Sequence, residues 1–139
     1  MASTTAPEHY NAAVIPHIAV ADAAEAIAFY GRAFAATELF RLTDDDGSIF
    51  HAEISVAGST LMLSDPHPPF GPPVPGAPPV ALHVYVDDVD ALAARAVAAG
   101  ARLDQAPADQ FYGARTAILT DPFHHLWVFL QQLEPAQSG

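Results

Sequence analysis

The residues best equipped for chemistry are His17, His51, Glu53 and His83. Imidazole is the side chain whose ordinary pKa lies nearest neutrality, so His17 and His83, each set in an alternating apolar run, can exchange protons, hydrogen-bond a ligand or coordinate a metal. His51 and Glu53 are alternate residues of one strand-like segment and project to the same face about 7 Å apart. With His17 or His83 they would make a two-histidine, one-carboxylate metal set. Without a metal they could transfer a proton if burial moved a pKa toward neutrality, bind a polar ligand, or form a His–Glu bond that only orders the sheet. Tyr85, Phe111, Tyr112 and Arg115 offer the aromatic and cationic surface a planar ligand wants, although each taken alone reads as ordinary packing or a solvated loop residue. His124 and His125 are adjacent, so on a strand they diverge, and they read as turn residues.

The elements that must position these groups occur twice. Sliding the chain by 66 residues places Val14 on Val80, His17 on His83, Val20 on Val86, Asp22 on Asp88 and Gly47 on Gly113 without a gap. Each copy opens with an alternating strand, Val14 to Val20 or Val80 to Val86, followed by a helix capped by Asp22 or Asp88. Asp22 with Glu25 has the spacing of a capping box, and Gly100 sits where a helix end wants positive φ. Three strands follow in the first copy, Glu38 to Thr43, Ile49 to Val56 and Thr60 to Ser64, separated by Asp and Gly turns. The second copy repeats them near Arg102 to Ala106, at Ala114 to Thr120 and at His125 to Gln131. The expected organisation is a single domain over 1–139, with a first βαβββ module at 13–65, a linker at 66–79 and a second module at 80–132. Asp65 to Pro79 holds eight of the chain's thirteen prolines and cannot be a central strand or helix, so it is a stiff linker or a loop rimming a cleft. Pro135 to Gly139 reads as a frayed tail.

One helix covers one face of such a module, so the other faces should enclose a cleft. Strand alternation puts His17, His51, Glu53, Met62, His83, Tyr85 and Val128 on the cleft side, with Phe50, Ala52, Ile54 and Val56 under the helix. The fold class is therefore α+β, two paired βαβββ modules forming a cupped mixed sheet.

Composition narrows the partners. Five Lys plus Arg against sixteen Asp plus Glu give a formal net charge of −11, which repels nucleic acid. The absence of cysteine removes thiolate metal sites and thiol nucleophiles. No run is long and apolar enough to span a membrane, and the first ten residues do not read as a signal peptide, so no membrane partner and a cytoplasmic location are expected. No P-loop, Gly-rich phosphate loop or Ser-His-Asp order is present.

The segments Ala24-Glu-Ala-Ile-Ala-Phe-Tyr-Gly-Arg-Ala-Phe34, His51-Ala-Glu-Ile54, Val86-Asp-Asp-Val-Asp90 and Asp121-Pro-Phe-His-His-Leu-Trp127 resemble the vicinal oxygen chelate superfamily of glyoxalases, bleomycin-resistance proteins and extradiol dioxygenases, in its bleomycin-resistance-like or PhnB-like branch. The resemblance covers roughly residues 13 to 131 and is specific for fold, weak for reaction. It implies paired βαβββ modules, commonly a homodimer, and a ligand site in each cup. In metal-dependent members it also implies ligands at positions that fall here on Ile15, Met62, Ala81 and Val128, three aliphatic side chains and one thioether, so neither a resident metal nor another cofactor is expected. The resemblance implies Gly where His124 stands, and commonly Gly where Ala35 ends the first helix.

The leading expectation is a homodimeric small-molecule-binding protein that sequesters a hydrophobic or planar natural product as antibiotic-resistance members do, with His17, His51, Glu53, Met62, His83, Tyr85, Phe111, Tyr112, Arg115 and Val128 contacting the ligand. The rival is a lyase, isomerase or dioxygenase using a displaced metal at His17, His51, Glu53 and His83, or metal-free acid/base chemistry. A third reading is a dimeric scaffold whose cleft is filled by its own side chains.

Overall fold

The computed structural model describes residues 6–77 and 79–133, so the tail at Pro135 to Gly139 lies outside the described residues. A single 3₁₀ turn, Glu8–Tyr10, precedes the first module. That module runs β1 (His17–Ala19), α1 (Ala23–Phe34), β2 (Thr37–Thr43), β3 (Ile49–Val56) and β4 (Ser59–Ser64), and the second runs β5 (Ala81–Tyr85), α2 (Val89–Ala99), β6 (Arg102–Asp109), β7 (Ala114–Thr120) and β8 (Leu126–Gln132). The strands form two four-stranded mixed sheets, ordered β1-β4-β3-β2 and β5-β8-β7-β6. The architecture is α+β, a pair of βαβββ units.

Both helices start where the sequence offers a cap. Asp22 accepts from the Glu25 N–H at 3.1 Å and Asp88 from the Ala91 N–H at 3.0 Å. Helix α1 then stops at Ala35, which takes a left-handed φ of 56°, and His124 likewise sits at φ 76°. Neither turn is rebuilt to avoid the missing glycine; the backbone is kept and the Cβ is strained.

The two units share one core. Tyr30 and Phe34 on α1 carry their rings to the second sheet, Phe34 lying 4.7 Å from Trp127 and 4.8 Å from Phe129 between centroids. Buried Asp121 accepts hydrogen bonds from the Tyr30 hydroxyl at 2.6 Å, Trp127 Nε1 at 2.9 Å, and the Phe123 and His125 N–H groups. This carboxylate thereby joins the first module's helix to the second module's β7–β8 turn, and burial first, then the Asp121 charge and hydrogen bond, push the Tyr30 phenol well above its ordinary pKa.

Strand register corrects the ungapped repeat. His17 pairs with Met62 and His83 with Val128, which keeps the 66-residue offset, but Met62 pairs with Glu53 whereas Val128 pairs with Ile118. Strands β3 and β7 therefore correspond at an offset of 65, and one residue is regained in the longer turn after Thr120. Phe50 is a second correction. A register shift between Leu42 and Thr43 turns it off the core face, 50% exposed and stacked on His67, and Ile49 takes the buried place.

Candidate functional site

On the face of the first sheet away from α1, Glu53 lies between Phe40 on β2 and Met62 on β4. It is 5% exposed, and both carboxylate oxygens are engaged by the chain itself. His51 Nε2 donates to Oε2 at 2.8 Å, and the hydroxyl of Tyr10, carried by the 3₁₀ turn, donates to Oε1 at 2.6 Å. The Tyr10 phenol is raised in pKa chiefly because the bond to Glu53 holds its proton.

Beside this chain of donors, His17 Nε2 is 2.9 Å from Ser64 Oγ and its ring is 5.7 Å from that of His51. Phe70 from the proline-rich segment lies flat on His17, with centroids 4.2 Å apart and planes within 4°. Desolvation lowers the His17 pKa, and charge on His51 or His67 lowers it further. A largely neutral imidazole sandwiched against a phenyl ring is a stacking platform, and the neighbouring Glu53 is an acceptor of hydrogen bonds.

The expected site residues separate into three groups. His17, His51, Glu53 and Met62 come together in the first sheet, with Tyr10, Phe40, Ser64 and Phe70 joining them. His83 and Tyr85 are exposed and line a cavity of ≈720 Å³ with Tyr10, Ile15 and Thr60, while His17 lines another of ≈610 Å³ with Pro16, Val74, Leu82, His124 and His125. The paired histidines thus open onto different cavities. Val128 lies half-buried between His83 and Ile118. Phe111 and Tyr112 occupy the β6–β7 hairpin tip, with Phe111 fully exposed, and do not reach the cluster. Arg115 is turned toward α2, bound to Asp90 and Asp109. Those carboxylates raise its pKa, and it shares a register pair with Gln131, whose side chain accepts from the Val89 N–H at the start of α2.

Ser64 was open to strand parity, being two residues beyond Met62. Tyr10 and Phe70 carried no comparable signal, because an irregular arm and a proline-rich loop have no periodicity to place them.

These features define a class with established relatives. The chain belongs to the Glyoxalase/Bleomycin resistance protein/Dioxygenase superfamily, whose model matches residues 8–129. It is 43% identical over 121 residues to an uncharacterized protein of Mycobacterium bovis, a match covering 83% of this chain and 80% of that one. Among solved structures it is similar to TioX from Micromonospora sp. ML1, with 27% identity, a TM-score of 0.70, and 91% of this chain and 100% of that one covered. A glyoxalase-related enzyme from Fulvimarina pelagi shares the fold at a TM-score of 0.69 and 21% identity, covering 86% of this chain and 87% of that one.

The metal site of metal-dependent members does not fit this donor set. Ile15, Ala81 and Val128 offer no donor atom and Met62 only a soft thioether. The displaced set is not assembled either. Glu53 is shared between Tyr10 and His51, His83 is exposed on another cavity, and among the described residues no three His, Cys, Asp or Glu side chains are grouped to hold an ion. Among the described residues, no helix is long and apolar enough to cross a membrane.

Proposed function

We propose that this protein binds a small, flat aromatic molecule on the first sheet and returns it unchanged, a sequestering function of the kind expected for capture of a natural product. The observation that carries the reading is the joining of a stacking platform, His17 beneath Phe70, to a buried acceptor, Glu53, in a cup whose family metal positions are aliphatic or thioether. Stacking supplies affinity and the carboxylate fixes orientation. Nothing at Ile15, Met62, Ala81 or Val128 polarises a carbonyl.

Charge favours a cationic ligand. The formal charge is −11, and all five arginines are engaged, Arg32 with Glu25, Arg41 with Glu38, Arg95 with the Gly31 and Arg32 carbonyls, Arg102 with Asp104, and Arg115 with Asp90 and Asp109. The net field of the chain is that of its excess carboxylates. A homodimer belongs to the same proposal, supported by exposed Phe40 and Leu42 on β2 and Leu103 on β6, apolar surface that a second copy would cover.

The test is a thermal-shift screen of aromatic amines and natural-product scaffolds, followed by mass spectrometry of each stabilising compound after prolonged incubation. Stabilisation with unaltered mass is expected. Chemical conversion of a hit, or no stabilisation by any aromatic compound, contradicts the proposal, and light scattering at micromolar protein checks the dimer.

A further inference from the structure

We infer that Tyr10 and Phe70 are the chain's own stand-ins for the ligand, displaced when it binds, and that they define its chemistry as a flat aromatic ring bearing an N–H or O–H donor. This inference rests on the binding function proposed above and names what that site selects. Phe70 covers His17 as a ligand ring would, face to face at 4.2 Å, and the Tyr10 hydroxyl occupies Glu53 Oε1 as a ligand donor would.

Both groups ride on weakly held segments. Between residues 6 and 15 the described backbone hydrogen bonds are local, Tyr10 N–H to the Pro7 carbonyl, Asn11 N–H to that of Glu8 and Ala13 N–H to that of Tyr10. The first backbone bond to a sheet comes from the Met62 N–H to Pro16, and no residue of the 3₁₀ turn is buried. Phe70 is 39% exposed, and its N–H and carbonyl bond to His67 of the same segment, which reaches the sheet through a 3.2 Å contact from His67 Nε2 to the Phe50 carbonyl. Segments with few buried contacts open at low free-energy cost. The platform beneath them is different, because His51, Glu53 and Ser64 sit on the central strands β3 and β4, and His17 sits on β1, which is paired along its length with β4.

Displacement sets a selectivity rule. Once Tyr10 leaves, Glu53 Oε1 is a buried acceptor without a partner, so a ring lacking a donor incurs the cost of that orphan whereas a ring carrying one replaces the lost bond. The stand-ins also explain how a cup whose central positions are covered by its own side chains can still take a ligand. They are not part of the rigid core.

The experiment uses proflavine, a flat ring with two amino groups, and acridine, the same ring without them, titrated by fluorescence into the full chain. Fluorotyrosine labelling reads Tyr10 by ¹⁹F NMR, its signal assigned by its loss in Tyr10→Phe. Proflavine is expected to bind more tightly than acridine and to move the Tyr10 resonance to a solvent-exposed position at saturation. Tyr10→Phe and Phe70→Ala, each removing a competitor, are expected to tighten proflavine binding about fivefold. An unmoved Tyr10 resonance at saturation, or weaker binding in both variants, overturns the inference and shows these residues to be fixed walls, while the binding function stands. Failure of proflavine to bind both the wild type and the Tyr10→Phe/Phe70→Ala double variant removes that function as well.

Discussion

The two modules share a backbone and differ in what they do with it. On the first sheet the row across β1, β4 and β3 reads His17, Met62, Glu53, and on the second the row across β5, β8 and β7 reads His83, Val128, Ile118. Beside them His51 and Ser64 correspond to Thr116 and Leu130. The first sheet has a buried carboxylate, a half-buried histidine stack and two covering groups, while the second has one exposed histidine beside Tyr85. The second module instead holds its buried acid in the β7–β8 turn, where Asp121 serves four donors and solvent is excluded. One copy presents its polar groups on the sheet face away from its helix, and the other has turned its buried acid inward to tie the copies together.

The largest effect should come from breaking that tie. Asp121→Ala leaves the Tyr30 hydroxyl, the Trp127 N–H and two backbone N–H groups without their acceptor, and a loss of about 3–5 kcal/mol is expected in urea unfolding, enough to unfold a marginal domain. A loss below about 1 kcal/mol would mean that Asp121 does not join the modules. The turns provide a smaller contrast. Gly58 takes φ 84° without a Cβ, and its sequence mate His124 takes φ 76° with one, so His124→Gly is expected to stabilise by about 1 kcal/mol. Unchanged or reduced stability would show that the imidazole compensates for the strain.

The smallest effect is a pH dependence confined to the first module. The folded-state pKa of His17 is lowered, so on acidification the unfolded chain takes up this proton first, and stability is lost as pH falls through the unfolded value of about 6.5 toward the lower folded one. His51 and His67 act on it electrostatically, which makes the comparison with His17→Gln necessary. The variant should lose less stability between pH 7.5 and 5.5 than the wild type, read as the change in urea midpoint. Equal losses would place the acid sensitivity elsewhere.

Much of this was legible before any coordinates. Strand alternation put Glu53 and His51 on one face and Ala52, Ile54 and Val56 under the helix, where they are buried, because a buried face leaves a period-two mark that a single chain displays. Asp22 and Asp88 announced both helix starts. The compensating one-residue changes around β7 were hidden because they cancel, so the ungapped frame sets Glu53 opposite Leu119 where the ladder gives Ile118, and a one-residue slip exchanges the faces of a strand. Arg115 was attractive as a lone cation near the expected cleft, but its two aspartates come from α2 and the end of β6, a convergence that spacing does not reveal. Tyr10 and Phe70 were invisible for a different reason. They act from segments without repeating structure, and only their contacts identify them.

The central claim is that the first sheet, and not its mate, holds the ligand through Glu53. The most direct measurement is the proflavine dissociation constant of Glu53→Gln and of His83→Gln beside the wild type, with folding of each confirmed by circular dichroism. The account expects a loss of about tenfold or more for Glu53→Gln, as for a buried charge-assisted bond, and a change of less than about twofold for His83→Gln. Equal losses in the two variants, or a loss in His83→Gln alone, would contradict it.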